Sequence, residues 1–491
     1  MTAHVRSTVL VDALRHAGLL VEVRGVLPDT LTSITDDSRA ASPGAIFVAV
    51  HGSARDGHEF LAQVATSGAS AAIVVDADAT TLPAIVVTDS RRAVAVAAAA
   101  WYGSPASVLR LVGVTGTNGK TTSASMLRHL LSTDAAPAAS IGTLGVLLGS
   151  AGQVHPGGSG LTTPGPIELQ KLLRELVDAD VHWVAMEASS HALDQHRLEG
   201  LQFSAALFTN FTRDHLDYHG SMEAYFAAKA LLLDQLTPDA QVIVNADDPA
   251  WSNLRLTPHR RWRFSTGMNF ADVYARRTEY MPSGSTFSLH APETEPVKVQ
   301  LPLLGDFQVE NAVGVAAVGF ALAMPLKMVA ARLSSMPQVP GRLERLSTSP
   351  AVLRDYAHTP DALERALRSV RPFASGKVIV VFGAGGDRDR GKRPQMGKVA
   401  ADLADICIVT SDNPRTENPE RILDDIVEGM PPLKVLREKD RRQAITLAID
   451  LAGANDLVLL AGKGHETYQI RGTTKYPFDE ALIVAELTVR R

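Results

Sequence analysis

Val108-Leu109-Arg110-Leu111-Val112-Gly113-Val114 runs directly into Thr115-Gly116-Thr117-Asn118-Gly119-Lys120-Thr121-Thr122. The first seven residues are mostly aliphatic and β-branched, which predicts a buried strand, and a helix is expected from about Lys120. Between them lies a turn of small residues. Small side chains let successive backbone N–H groups curl around phosphate oxygens at a helix N-terminus. Lys120 then offers a cation to the β and γ phosphates, and Thr121 offers a hydroxyl to Mg²⁺. The usual spacing has a glycine where Val114 stands, so Gly116 and Gly119 supply the flexibility differently. Gly116, Thr117, Asn118, Gly119, Lys120, Thr121 and Thr122 are therefore the candidate nucleotide contacts.

Outward from this unit, short β-branched runs alternate with helical stretches, the pattern of α/β folds with largely parallel sheets. On the N-terminal side stand Ala45 to Val50, a helix near Glu59 to Ser67, and Ala71 to Val75. The segment Val9 to Val23 reads as an amphipathic helix, interrupted by Asp12, Arg15 and His16. A break falls at Tyr102 to Ala106, where Gly103, Ser104 and Pro105 cluster. Downstream, Trp183 to Met186, Ala205 to Phe208 and Val242 to Val244 read as further buried strands, and Met336 to Gly341 as a second break. The last part contains Val378 to Phe382, Ile406 to Thr410 and Leu457 to Leu460. In an open parallel sheet ligands bind beyond the carboxyl ends of the strands. The loops Gly383 to Arg393, Ser411 to Pro419 and Gly462 to Glu466 are thus expected to converge.

A chain of 491 residues is too long for one ordinary core. Three domains are expected, over residues 1–107, 108–337 and 338–491. A net charge of −5 gives no global basic field to hold nucleic acid or an anionic membrane. Cys407, the one cysteine, excludes an internal disulfide framework and a multi-cysteine zinc site. The alanine-rich run Ala93 to Trp101 is about half the length that spans a bilayer. A soluble cytoplasmic protein without membrane insertion is the expectation.

Glu187 ends a buried-type strand and precedes Ala188-Ser189-Ser190-His191, so its carboxylate could hold Mg²⁺ opposite the phosphate loop. Thr209-Asn210-Phe211-Thr212-Arg213-Asp214-His215-Leu216-Asp217-Tyr218-His219 follows another strand, and its acids and imidazoles suit a metal or phosphate site. Lys229 lies in Tyr225-Phe226-Ala227-Ala228-Lys229-Ala230, a stretch of amphipathic helix. By spacing alone it reads as a solvated surface charge. A nucleotide switch is a different class of function for such a loop. Guanine-specific switches carry Asn-Lys-x-Asp, and no asparagine here precedes a lysine.

Taken together, these motifs resemble the Mur ligases over nearly the whole chain, from Asp36-Asp37-Ser38-Arg39 to Gly462-Lys463-Gly464-His465-Glu466. The phosphate loop is shared across the superfamily, including folylpolyglutamate synthases. Its combination with Thr162-Thr163-Pro164, Asp355-Tyr356-Ala357-His358-Thr359-Pro360-Asp361 and Asp412-Asn413-Pro414-Arg415 is narrower. The resemblance implies a UDP-binding N-terminal α/β domain, a central P-loop ATPase domain with a mostly parallel sheet, and a Rossmann-like C-terminal domain. It places Ser38 at the uridine nucleotide, and Thr162, Thr163, Ser189, Gln195 and Arg197 at the muramoyl dipeptide. It assigns Glu187 and His215 to Mg²⁺, and implies that Lys229 is carbamylated, which reverses the surface reading of that residue. Asn311, Arg342 and Asp355 match nucleotide-contacting positions. Gly305-Asp306-Phe307-Gln308 departs from the family's Gly-x-Phe-Asn.

Within the family the resemblance is to the members that add meso-diaminopimelate to UDP-N-acetylmuramoyl-L-Ala-D-Glu with ATP. In these, the residues at Arg388, Asn413, Arg415, Gly462 and Glu466 contact the amino acid, with Asp412 in the same tetrapeptide. Physical reasoning agrees, because a second carboxylate on the acceptor calls for a guanidinium that binds both oxygens in one plane. Glu466 could pair with the distant ammonium. The expected cofactors are ATP and Mg²⁺ with the Lys229 carbamate, and the protein is expected to act as a monomer. A folylpolyglutamate-type ligase gives no reason for Arg415 or for a uridine domain. Gly383-Ala384-Gly385-Gly386 invites a dinucleotide reading, but its third spaced glycine is missing.

Overall fold

The computed structural model describes residues 4–52, 55–158, 160–255, 257–267, 270–431 and 435–489. The chain forms two compact units, residues 1–274 with 314–329 and residues 275–313 with 330–491.

In the first unit, the N-terminal region forms a five-stranded sheet ordered Leu20–Arg24, Ala84–Val87, Ala71–Val74, Ala45–Val48 and Ser33–Thr35. All its pairings are parallel except the one between Leu20–Arg24 and Ala84–Val87. Ile46, Val48, Ile73 and Ile85 form its core with Leu10 and Leu14 of the helix Ser7–His16. The stretch Val9 to Val23 is thus not one helix. Its second half is an edge strand, because Gly18 takes positive φ and ends the helix one turn after Arg15. The alanine-rich run belongs to the helix Ser90–Trp101, which Asp89 opens by accepting from the N–H groups of Arg91 and Arg92.

The same unit holds a second sheet, ordered Gln153–His155, Gly145–Leu148, Ala138–Gly142, Trp183–Glu187, Arg110–Thr115, Phe203–Phe208, Leu236–Asn245 and Arg260–Ser265. From Ala138–Gly142 to Arg260–Ser265 every pairing is parallel. Its central strands are aliphatic on both faces, as a sheet covered on both sides requires. Each such buried side chain contributes about 1.5–3 kcal/mol over its exposed state. Arg110–Thr115 leads through the glycine-rich turn into the helix Lys120–Leu131, which is buried from Thr121 onward.

The second unit contains an antiparallel pair, Gly284–His290 with Val297–Leu301. It also contains a six-stranded sheet ordered Glu344–Thr348, Ala351–Asp355, Leu457–Ala461, Val378–Phe382, Ile406–Val409 and Val435–Arg437. All but its first pairing are parallel. Asp355, Phe382, Val409 and Ala461 therefore end on one edge, where the expected loops emerge. Among the described residues, no helix is long and apolar enough to cross a membrane.

Candidate active site

Three adjacent parallel strands, Trp183–Glu187, Arg110–Thr115 and Phe203–Phe208, deliver the central residues of the first unit. Gly116 has φ 149°, and a Cβ there would lie 1.9 Å from Thr209 Oγ1, so only glycine lets the loop lie against the neighbouring segment. Hydrogen bonds lace the two together. The Thr117 N–H donates to the Asn210 carbonyl (2.7 Å), and the Asn118 N–H to the Asn210 side-chain oxygen (2.8 Å). Thr209 Oγ1 donates to the Asn118 carbonyl (2.7 Å), and the Thr212 N–H to Thr117 Oγ1 (3.0 Å). The loop is thereby shaped by the chain itself. Lys120 Nζ folds over it, donating to the carbonyls of Gly116 (2.9 Å) and Thr117 (2.7 Å).

Glu187 is 1% exposed. Its carboxylate accepts from the Thr143 N–H (2.8 Å) and from the hydroxyls of Thr121 and Thr143 (both 3.2 Å). A buried anion thus meets the hydroxyl of the phosphate loop. Lys229 is also 1% exposed, on the helix Met222–Ala230, and its Nζ donates to the Gly116 carbonyl (2.8 Å). Its ammonium lies 4.3 Å from the centre of the Tyr225 ring. Burial, reinforced by the charge of Lys120, drives the Lys229 amine well below its ordinary pKa, with Asp214 opposing. The spacing-based reading of a solvated lysine is corrected: Tyr225 and Lys229 share the inward face of the helix.

His215 has left-handed backbone, φ 53°, at the start of the short helix Leu216–His219. Burial pushes its imidazole toward the neutral form, Asp214 opposes, and Lys120 and Lys229 reinforce the shift. Its ring packs edge-on against His191, 4.7 Å between centres. A buried carboxylate and a hydroxyl in contact are oxygen donors that fit a hard divalent cation, and the neutral imidazole of His215 carries no charge to repel one. A neutral buried amine beside Lys120 fits carbamate formation, because the product is an anion facing a cation.

The expected dipeptide-binding residues also gather. Thr163 Oγ1 donates to the Glu187 carbonyl (2.6 Å) and accepts from the Ser189 N–H (3.2 Å). Arg197 donates to the Thr163 carbonyl (2.9 Å) and to Gln195 Oε1 (2.7 Å), while Gln195 Nε2 donates to the Tyr218 hydroxyl (3.1 Å). Thr162 meets Thr143 hydroxyl to hydroxyl (3.3 Å). Ser38 stands apart from this group, on the turn Ser38–Ala40 after the N-terminal strand Ser33–Thr35. Sequence reasoning missed Thr143 and Tyr218 as site residues. Thr143 directly follows the strand Ala138–Gly142, and Tyr218 lies in the histidine-rich stretch after Phe203–Phe208, signals present but unspecific.

In the second unit, Asn311, Arg342 and Asp355 form one neighbourhood. Asn311 Nδ2 donates to Gln308 Oε1 (3.4 Å), Gln308 Nε2 to the Arg342 carbonyl (3.3 Å), and the Leu343 N–H to Asp355 Oδ2 (2.8 Å). Gln308, the departure from the family pattern, thus bridges Asn311 and the Arg342 backbone. Burial raises the Asp355 carboxyl to about 6, against the pull of Arg342.

The three convergent loops of this unit also meet. Asn413 Nδ2 donates to Glu466 Oε2 (2.8 Å), and Lys463 Nζ donates to Asn413 Oδ1 (3.2 Å) and Glu466 Oε2 (3.0 Å). Arg415, at φ 51°, sends Nη1 to the Gly386 carbonyl (2.9 Å). It lines a cavity with Ser411, Lys439 and Arg471. Gly462 lies against Asp412, whose Oδ2 is buried with no hydrogen-bond partner among the described residues. Such an orphaned acceptor suits a ligand amine. Arg388 is exposed on the adjoining loop, with a long contact from its Nη1 to the Asp387 carbonyl (3.5 Å).

Comparison with known proteins covers the same segments. The Mur ligase middle domain matches residues 114–319, the Mur ligase glutamate ligase domain residues 341–464, and the Mur ligase family catalytic domain residues 30–105. The UDP-N-acetylmuramoyl-L-alanyl-D-glutamate–2,6-diaminopimelate ligase of Gloeobacter violaceus is 44% identical over 466 residues, 92% of this chain and 93% of that protein. The ligase of the same name from Chlorobaculum tepidum is 41% identical over 493 residues, 96% of each chain. A solved structure of a protein so named superposes with a TM-score of 0.68 at 32% identity, covering 96% of this chain and 97% of the other.

Proposed function

The chain belongs to the Mur ligase family, and from that premise we propose that it adds meso-diaminopimelate to UDP-N-acetylmuramoyl-L-Ala-D-Glu in peptidoglycan biosynthesis. The observation that carries the reading is one chain holding two built sites. One is a phosphate loop whose Thr121 meets the buried carboxylate of Glu187. The other is a loop cluster that offers guanidinium, carboxylate and carboxamide through Arg415, Glu466 and Asn413. The relatives that match over nine-tenths of the chain are named for this reaction.

The D-Glu γ-carboxylate is a poor electrophile and needs activation. It attacks the γ-phosphorus of ATP, giving an acyl phosphate and ADP. The uncharged amine of the acceptor then attacks the acyl carbon, and collapse of the tetrahedral intermediate expels phosphate and leaves the amide. Lys120 and the backbone N–H groups at the N-terminus of its helix hold the transferring phosphoryl group and offset its charge. Thr121, Glu187, His215 and the Lys229 carbamate are the residues that would hold Mg²⁺, which neutralises phosphate charge when bound. Arg197, Thr162, Thr163, Ser189 and Gln195 orient the dipeptide, Ser38 serves the uridine end, and Asn311, Arg342 and Asp355 serve the nucleotide. Asp412 Oδ2, Asn413, Gly462 and Glu466 receive the acceptor's amine groups, and Arg388 and Arg415 its distant carboxylate.

The three-domain division at residues 107 and 337 remains part of this reading, supported by a separate sheet in each segment. So does a monomer acting in the cytoplasm. The decisive experiment measures phosphate release with ATP, Mg²⁺ and the UDP-linked dipeptide, comparing meso-diaminopimelate with L-lysine. Release favouring diaminopimelate, with a tripeptide product by mass, is expected. Preference for lysine removes the role given to Arg415. Release with neither removes the reading of a muramoyl-dipeptide substrate and returns the question to the folylpolyglutamate-type and switch alternatives.

A further inference from the structure

Two loops carry the guanidinium groups assigned to the acceptor, Arg388 on one and Arg415 on the other. Backbone contacts already bring them close. The Gly386 N–H donates to the Asn413 carbonyl (2.9 Å), and a Cβ on Gly386 would lie 1.9 Å from the Pro414 carbonyl oxygen. Asp387 and Arg415 both take left-handed backbone, φ 54° and 51°. Non-glycine residues hold that conformation only when their surroundings impose it.

Arg393 and Glu417 supply the imposing contacts. Arg393 opens onto neither solvent nor any proposed ligand, since its side chain is 0% exposed. Its guanidinium donates to both Glu417 oxygens (2.8 and 3.0 Å), to Asp425 Oδ2 (2.8 Å) and to the Gly385 carbonyl (3.3 Å). Glu417 Oε1 also accepts from the Asp387 N–H (2.5 Å), and Asp387 Oδ1 from the Thr416 hydroxyl (2.8 Å). Arg390 reaches Glu417 Oε2 at 3.2 Å. Glu417 thus bonds the loop of Arg388 from within the loop of Arg415, and Arg393 ties both to the helix Pro419–Val427. The paired guanidinium holds the Glu417 carboxyl down at about 2.

We propose that Glu417 and Arg393 are positioning residues that clasp these two loops and so set how tightly, and how selectively, the acceptor amino acid is held. A planar bidentate fork suits this task, because it fixes direction as well as distance. The inference rests on the proposed diaminopimelate-adding reaction.

Its test compares the native chain with Glu417→Gln and Arg393→Lys. Glutamine keeps the shape of Glu417 and removes its charge; lysine keeps the charge of Arg393 and removes the fork. In each variant the KM for meso-diaminopimelate is expected to rise roughly tenfold, with the KM values for ATP and the UDP-linked dipeptide within about twofold. Discrimination against L-lysine should fall in parallel. Hydrogen exchange should accelerate over residues 384–391 and 412–418 and stay unchanged over the phosphate loop. An unchanged diaminopimelate KM, or an equal rise in all three KM values, overturns the clasp. If Arg393→Lys does not fold, Glu417→Gln, whose side chain is 13% exposed, decides alone. A native chain that makes no tripeptide overturns the parent reaction instead, so the two failures are told apart.

Discussion

At the residue scale, two buried titratable groups govern what the chain can do. Lys229 is a lysine held where a positive charge is disfavoured, under a loop shaped for anions. A neutral amine there can take up CO₂ with release of a proton, and the carbamate anion then faces the Lys120 cation that disfavoured the ammonium. Lys229→Ala is expected to lower turnover by about 10²-fold or more, the size of losing one preorganised charge around a transferring phosphoryl group. Acetate or formate should restore part of the activity by filling the vacated place. Labelled bicarbonate should give a carbamate carbon signal in the native chain and not in the variant. A variant with full activity, or no difference in signal, removes the carbamate. Asp355 works in the opposite sense. Its folded pKa of about 6 lies above the ordinary 3.8, so the protonated form is favoured by folding. The stability this gives is complete below about pH 4, is lost as pH rises to about 6, and is flat beyond. The size is on the order of 3 kcal/mol at 1.36 kcal/mol per pKa unit. Denaturant midpoints of native chain and Asp355→Asn, measured from pH 4 to 7, should diverge by that fall. A constant difference removes the raised pKa.

At the scale of elements, the helix Ser90–Trp101 shows how a composition signal and a local signal combine. Its alanines are too few for a membrane span, and Asp89 fixes where the helix begins by accepting from two otherwise unpaired N–H groups (2.9 and 3.1 Å). Asp89→Ala should cost about 1 kcal/mol and Asp89→Ser at most a few tenths, read from thermal melts. An equal loss in both would mean that the helix start is set by packing. The parallel strands and the phosphate-loop turn were legible because β-branched runs and glycine spacing are local properties. The stretch Val9 to Val23 was misread because apolar residues recur at helical spacing across Gly18, while the partner that makes Leu20–Arg24 a strand is Ala84–Val87, far along the chain. The spacing around Lys229 misled for the same reason, and the family resemblance was what reversed it. Its burial comes with its bond to Gly116, far along the chain, which helical spacing does not report. Thr143 became visible only through Glu187, and Arg393 only through Glu417 and Asp425. Glu466, expected to await an ammonium, already accepts from Lys463 and Asn413. A hydrogen-bond partner tens of residues away leaves no periodic mark.

At the scale of the whole molecule, the single cysteine becomes a reporter. Cys407 lies in the strand Ile406–Val409, fully buried between Val378–Phe382 and Val435–Arg437 in the sheet of the second unit. A thiol reagent can reach it only when that sheet opens, so in the native chain the labelling rate measures the opening equilibrium. A ligand that binds the closed sheet and not the open one must slow labelling by the factor 1 + [L]/Kd. The loops assigned to the acceptor hang from the strand of Cys407 itself, from its neighbour Val378–Phe382 and from Leu457–Ala461 beyond that, so meso-diaminopimelate should slow labelling. At a concentration of about 100 Kd the slowing should approach 100-fold, equivalent to about 2.7 kcal/mol. Arg415→Ala should shift the curve to higher diaminopimelate concentrations while leaving the ligand-free rate nearly unchanged, because its guanidinium contributes a single bond to the Gly386 carbonyl. L-Lysine, lacking the second carboxylate, should slow labelling less in the native chain, and the gap between the two amino acids should narrow in Arg415→Ala, where Arg388 alone remains. That narrowing is the sharper demand, since it separates recognition of the carboxylate from general stabilisation of the sheet. Slowing by both amino acids to the same extent in the native chain would place the selective contact elsewhere.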